Sequence, residues 1–239
     1  MSENHFAVPQ LRVRLPKQPV SKTDLLRFLC FIVFFFTILT NRHAQKITTR
    51  VQAIVSASDA GFYATTVQLL KSYLENNPDS QRGWIDYGHA LGNLARYREA
   101  EAAYHRAIEL TEDGDRDSIY GELGNLFRNE GNYNVAAQWY RKQIEANPKD
   151  ATGHVFLGSL EVKRGEFASA IEILQDGLEC ETVCFEELHF ALGNAYRSLE
   201  EFTLAKVHYD KAIAADPKYD TAKTALKDVK NAISEQQKS

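Results

Sequence analysis

One period governs this chain. Leu or Tyr followed by Gly recurs at Tyr87-Gly88, Leu123-Gly124, Leu157-Gly158 and Leu192-Gly193, with the glycines 36, 34 and 35 residues apart. Twelve residues after each glycine comes an alanine: Ala100, Ala136, Ala170 and Ala205. Pro78, Pro148 and Pro217, each preceded by Asn or Asp, lie 70 and 69 residues apart, which is two periods. A unit of this size cannot bury its apolar face alone, so its neighbours must stack on it. The spacing therefore predicts a stacked array of repeat units. Small residues let neighbouring elements approach closely, and aromatics fill the space between successive units. Proline after Asn or Asp closes a unit, because the residue before proline is pushed out of the helical region.

The combined pattern resembles the tetratricopeptide repeat, a 34-residue helix–turn–helix unit. Trp84, Tyr87, Gly88, Tyr97, Ala100, Tyr104 and Ala107 fill that family's signature positions in the first clear unit. Tyr120, Leu123, Gly124, Tyr133, Ala136, Tyr140 and Pro148 do so in the second. Leu157, Gly158, Phe167, Ala170 and Leu174 mark the third, and Leu192, Gly193, Tyr196, Phe202, Ala205, Tyr209, Ala212 and Pro217 the fourth. An earlier unit keeps Gly61, Tyr63, Leu70, Tyr73 and Pro78 but carries Ile54 where a glycine is expected. The resemblance covers roughly residues 47–217. It implies an all-α, right-handed α-solenoid of about five hairpins, with units near 47–80, 81–116, 117–150, 151–185 and 186–217 inside an array over 42–217. Residues 218–239 are expected to cap it. Ala222, Ala225, Leu226, Val229 and Ile233 share one helical face there, with lysines on the other and a polar, frayed tail after Ile233.

Chemistry of the catalytic kind is not indicated. The sequence has no HExxH, no glycine-rich phosphate loop and no GxSxG elbow, so neither an enzyme nor a cofactor is expected. His154 and His189 fall where the family often has tryptophan and read as packing residues, while His105 and His208 are expected to be partly exposed. A net charge of −4 argues against a general nucleic-acid binder. In CETVCFEELH, Cys180, Cys184 and His189 lie close together in sequence. Two small side chains packed at a turn, a local disulfide between Cys180 and Cys184, or a soft-metal site are the readings. The first is preferred, and no metal is assigned because at most three ligands can be named.

The resemblance also implies a binding surface. In that family the first helices of the hairpins line a concave face that takes extended peptides or a partner's helix. Carried over, the groove positions are His89, Asn93, Asn125, Arg128, Asn129, Ser159, Lys163, Asn194 and Arg197. LGNLFR recurs as LGNAYR, so Asn and Arg stand three apart on one helix face twice over. Asn offers a peptide backbone a donor and an acceptor, and Arg takes a carboxylate bidentately. The expected ligand is an extended segment with acidic side chains or a C-terminal carboxylate. The family's clamp for chaperone tails is not matched, since Ile85 and Thr152 stand where it uses lysines.

Ahead of the array lies LLRFLCFIVFFFTILT, Leu25 to Thr40. Its twelve Leu, Ile, Val and Phe residues contribute roughly −4 to −7 kcal/mol towards membrane insertion. Arg27, near one end, can snorkel. A cleaved signal fits poorly, as TNRHAQ gives no small-x-small site. A transmembrane anchor over 24–41 is expected, with Phe28, Phe31, Phe35 and Leu39 as one helical stripe, after a basic, proline-punctuated tail over 1–23. Five basic residues, counting Arg27 at the start of the stretch, stand on its N-terminal side and three follow it, which favours a cytoplasmic N-terminus and repeats on the far side, periplasm or equivalent. The sequence reads as a single-pass, membrane-anchored scaffold or assembly factor whose solenoid holds a protein partner, a subunit of a membrane complex, at the bilayer. A permanent structural subunit of a membrane enzyme or secretion complex, and a receptor for targeting or chaperone peptides, are the alternatives.

Overall fold

A computed structural model describes residues 52–112, 115–181 and 184–237. The chain divides into two units, Met1–Gln52 and Ala53–Ser239. The tail 1–23 and the stretch 24–41, with Phe28, Phe31, Phe35 and Leu39, lie outside the described residues. Among the described residues no helix is long and apolar enough to cross a membrane.

The second unit is an all-α solenoid of helix hairpins, with no strand among the described residues. Helical residues 52–59 (α1) precede α2 (Tyr63–Asn76). The next hairpins are α3 (Gln81–Asn93) with α4 (Tyr97–Glu109), and α5 (Asp117–Glu130) with α6 (Tyr133–Ala146). Then come α7 (Thr152–Arg164) with α8 (Phe167–Leu178), and α9 (Phe185–Ser198) with α10 (Phe202–Ala215). A last helix, α11 (Asp220–Gln236), packs on α10. From α2 onward each helix packs on its successor, and the first helices α3, α5, α7 and α9 also touch in series. That series is the inner row on which the groove residues stand.

Local chemistry explains the boundaries. Asn77, Asn147 and Asp216 close α2, α6 and α10 with φ of −138°, −138° and −126°, the extended backbone that the following proline imposes. Ser80 caps α3 by accepting from the Gly83 N–H at 3.2 Å. Within each hairpin the interior faces repeat. Ala100, Ala136, Ala170 and Ala205 are all fully buried, so a larger side chain at any of them would have to displace its neighbours. The Ile54 exception also has a reason. Sixteen residues on, where the four other hairpins carry a tyrosine or leucine opposite glycine, the α1–α2 hairpin has Leu70; Ile54 and Leu70 are both buried in one core cluster. On α11, Ala222, Ala225, Leu226 and Val229 are buried and Ile233 packs beside them. The helix runs through Gln236, so SEQQKS is not frayed from Ile233 onward as expected; three of its residues continue the helix, exposed.

The turn inside each hairpin shows a second regularity. Seven residues after Ile54, Gly88, Gly124, Gly158 and Gly193, the backbone goes left-handed, at Gly61, Ala95, Gly131, Gly165 and Glu200. Ala95 and Glu200 adopt φ of 56° and 60° although each carries a Cβ, which costs about 1–2 kcal/mol in that region. Glu200→Gly is therefore expected to stabilise the array by about 0.5–1 kcal/mol after the greater freedom of the unfolded chain is allowed for. Ala95→Gly should add a similar increment, since turns this far apart act independently. Urea midpoints of the two single variants and the double variant check this. A midpoint that falls with either glycine contradicts the strain argument.

Candidate functional site

The groove is built by tyrosines that pass between helices. Gly193 has no Cβ, and one placed there would lie 2.5 Å from Cε1 of Tyr209. The missing atom lets the ring of α10 slide under α9, where its hydroxyl donates to Asn194 Oδ1 at 2.7 Å. Gly124, Tyr140 and Asn125 repeat the arrangement, with the hydroxyl donating at 2.9 Å. Burial pushes both phenols up to about 12, while Arg128 beside Tyr140 and Arg197 beside Tyr209 pull the other way. These two sets, Asn125–Arg128–Tyr140 and Asn194–Arg197–Tyr209, are the same device two hairpins apart. The first hairpin varies it: Tyr104 crosses Gly88 and donates to Glu122 Oε2 of α5 at 3.4 Å, and its phenol is held up first by burial and then by Glu122. The third lacks it, because Leu174 occupies the tyrosine position, so Ser159 has no phenol beside it.

This geometry corrects one expectation. At Asn125 and Asn194 the side chain is not wholly free for a ligand. The carbonyl oxygen gives one of its two lone pairs to a buried phenol, which fixes the amide's orientation and leaves the NH2 and one lone pair for a partner.

Two clefts gather the groove residues. A cleft of about 250 Å³ between α3 and α5 brings together His89, Asn93, Asn125, Arg128 and Asn129, with Glu122 on its wall. Asn93 donates to the His89 carbonyl at 2.9 Å, and Tyr97 donates to the Asn129 carbonyl at 3.4 Å. A larger cleft of about 650 Å³ holds Asn194 and Arg197 of α9 across from Asp220 and Asp228 of α11. Ser159 and Lys163 belong to neither; both are exposed on α7, and Lys163 Nζ sits 4.9 Å over the Tyr133 ring. Glu122, Asp220 and Asp228 were not among the expected groove residues. They change its character, because each arginine now shares its cleft with carboxylates and the surface is dipolar rather than uniformly basic. The aspartates had a sequence signal: Asp220, Thr224 and Asp228 recur every fourth residue along α11, one stripe beside its buried face.

Cys180 and Cys184 are free thiols, so the local disulfide is not formed. Cys180 Sγ lies 3.8 Å from His154 Nδ1 and 3.6 Å from the Pro148 carbonyl, whereas Cys184 Sγ lies 3.9 Å from Thr152 Oγ1. The two sulfurs answer to different groups. Burial, then the carboxylates of Asp150 and Asp176, raises the Cys180 thiol; burial raises Cys184 as well, so neither is an activated nucleophile. Among the described residues no group of three or more His, Cys, Asp or Glu is placed to hold a metal ion. His154 and His189 are half-buried packing residues. His208 is also half-buried: it stacks on Tyr196, its Nδ1 lies 3.2 Å from that of His189, and burial brings its pKa down to about 4.

The comparisons with known proteins bear on the fold. One family profile described as Tetratricopeptide repeat matches residues 186–219, and a second of the same description matches 85–151 and 122–181, together more than half of the chain. No curated protein matches it in sequence. Among solved structures it is similar to TTC0263, a tetratricopeptide-repeat protein of Thermus thermophilus, at 19% identity and a TM-score of 0.60 over 76% of this chain and 97% of that one. It is also similar to YrrB, described as having an unusual peptide-binding site, at 18% identity and 0.52 over 74% of this chain and 90% of that one. A chain of the APC/C hetero-tetramer Cut9–Hcn1 matches at 19% identity and 0.62, over 81% of this chain and 38% of that one. At these identities the likeness is one of fold. The profile matches and the hairpin geometry agree: the chain belongs to the tetratricopeptide repeat family.

Proposed function

We propose that the solenoid is a protein-interaction scaffold that holds an extended segment of a partner along its inner helices, and that residues 24–41 tether it to a bilayer. The observation that carries this reading is the pair of equivalent Asn–Arg–Tyr sets, with Asn and Arg on α5 and α9 and the tyrosines supplied by α6 and α10. Neither arginine makes an ion pair with another described residue, so both guanidinium groups are available to a ligand. A repeated amide donor beside a repeated guanidinium suits a polypeptide, which presents carbonyls at regular intervals and carboxylates between them. YrrB is described as having a peptide-binding site, and another similar chain belongs to the Cut9–Hcn1 hetero-tetramer, so this fold has served both uses elsewhere. The tether rests on the predominantly apolar run from Leu25 to Thr40, in which Arg27 is the one charged residue. The expected partner is a subunit of a membrane complex.

Arg128→Glu combined with Arg197→Glu is expected to lower partner affinity by at least about 100-fold, since each lost charge-assisted contact costs about 1.5–3 kcal/mol. The test is co-purification in mild detergent read by mass spectrometry, wild type beside the double variant, with circular dichroism as the fold control. An unchanged set of co-purified proteins sinks the reading. Stoichiometric retention through purification marks a permanent subunit; substoichiometric, salt-labile capture marks an assembly factor. Because Cys180 and Cys184 are free, labelling them with an impermeant maleimide in intact cells reports the side on which the array sits.

A further inference from the structure

The larger cleft contains opposite charges that do not meet. Arg197 stands on the α9 wall and Asp228 on the α11 wall, both exposed, and neither forms an ion pair or side-chain hydrogen bond with another described residue. Both still act on one buried group, the Tyr209 phenol, which Arg197 favours in its ionised form and Asp228 disfavours. The floor between them is apolar, with half-buried Phe190 and buried Ala225. Asp220, on the same wall as Asp228, is 2.9 Å from Lys223, so Asp228 is the wall's unengaged carboxylate. Facing walls of opposite sign select a ligand that is itself dipolar across its width. A uniformly acidic segment gains Arg197 but sets carboxylates against Asp220 and Asp228, and a uniformly basic one has the reverse fault.

From this arrangement we infer that the α9–α11 cleft binds an extended polypeptide segment in which an acidic residue directly adjoins a basic one, carboxylate toward Arg197 and cation toward Asp228. An extended strand sends successive side chains to opposite sides at a rise of about 3.3 Å, so neighbouring residues reach opposite walls. Such a strand lies edgewise on the apolar floor, with the Asn194 amide positioned to donate to one of its carbonyls. The inference rests on the scaffold reading and narrows it, replacing an acid-seeking groove by one that reads charge alternation.

Fluorescence anisotropy of the full chain in detergent tests it with three labelled Thr/Val-rich decapeptides whose central pair is Glu–Lys, Glu–Glu or Lys–Lys. The Glu–Lys peptide is expected to bind at least tenfold tighter than either other. Asp228→Lys should shift the preference to Glu–Glu by a similar factor, and Arg197→Glu to Lys–Lys. Equal affinities in the wild type, or a preference that Asp228→Lys leaves in place, overturn the inference while the scaffold reading stands if Arg128→Glu still weakens binding. Failure of all three peptides to bind removes both. If the wild-type chain sediments as a dimer that Asp228→Lys dissociates, the occupant is a second copy and the inference falls.

Discussion

Gly193→Val is expected to destabilise the last hairpin by about 3 kcal/mol, with most of that loss returning when Tyr209→Leu is added. The cost has two parts. A Cβ at 193 overlaps Cε1 and Cδ1 of Tyr209 at 2.5 and 2.6 Å, and Tyr209 has no exposed surface into which to move. Overpacking of this kind costs about 1–3 kcal/mol. Displacing the ring also breaks the buried hydroxyl contact to Asn194 Oδ1, worth about 1 kcal/mol. The rescue is already written in the chain. The α1–α2 hairpin carries Ile54 at the glycine position and Leu70 at the tyrosine position, both buried in one core cluster, whereas a Cβ at Gly158 would still lie 2.4 Å from Leu174 Cγ, so leucine makes the room only once it has shifted. A branched residue in the first helix is thus compatible with leucine in the second. Chemical denaturation of the two single variants and the double variant gives the coupling directly. Because a repeat array can lose a terminal hairpin before the rest, α9–α11 should melt as a separate early transition in the single variant. Additive effects would show that glycine and ring do not share one space.

The same glycine explains how far the sequence could be read. The hairpins were legible because sterics repeat: a ring can cross a helix only where a Cβ is missing, so glycine, tyrosine and alanine recur at fixed intervals. The inner positions Asn125, Arg128, Asn194 and Arg197 followed from that register. Less visible was what those side chains already hold. That the carbonyls of Asn125 and Asn194 accept from Tyr140 and Tyr209 depends on a ring fifteen residues away, reached only after packing. The carboxylates were missed for a different reason. Asp220 and Asp228 come from α11, outside the repeats, where no register predicts which face opposes α9. Left-handed turns at Ala95 and Glu200 were hidden because glycine marks only three of the five equivalent positions.

Replacing Arg141 and Arg164 together by alanine is expected to cost about 3–5 kcal/mol, more than removing the acid they share. Glu161 stands three residues after Gly158, where the other hairpins carry Leu91, Phe127 and Tyr196, and only 2% of it is exposed. Arg164 of the same helix reaches its carboxylate at 3.0 Å, and Arg141 of α6 at 3.6 Å, so the acid joins the second hairpin to the third. The arginine side chains are 29% and 53% exposed. Without the glutamate they turn to water; without the arginines the carboxylate has no comparable exit. Glu161→Leu, which restores the residue type of its sister positions, is accordingly expected to stay within about 1 kcal/mol of wild type, since a well-packed apolar side chain often replaces a buried ion pair at no loss. The triple variant should recover most of what the two alanines remove. Urea denaturation of the single, double and triple variants decides it. Equal losses from Glu161→Leu and from the paired alanines would mean that the bridge itself carries the stability, and that the asymmetry of burial does not set the cost.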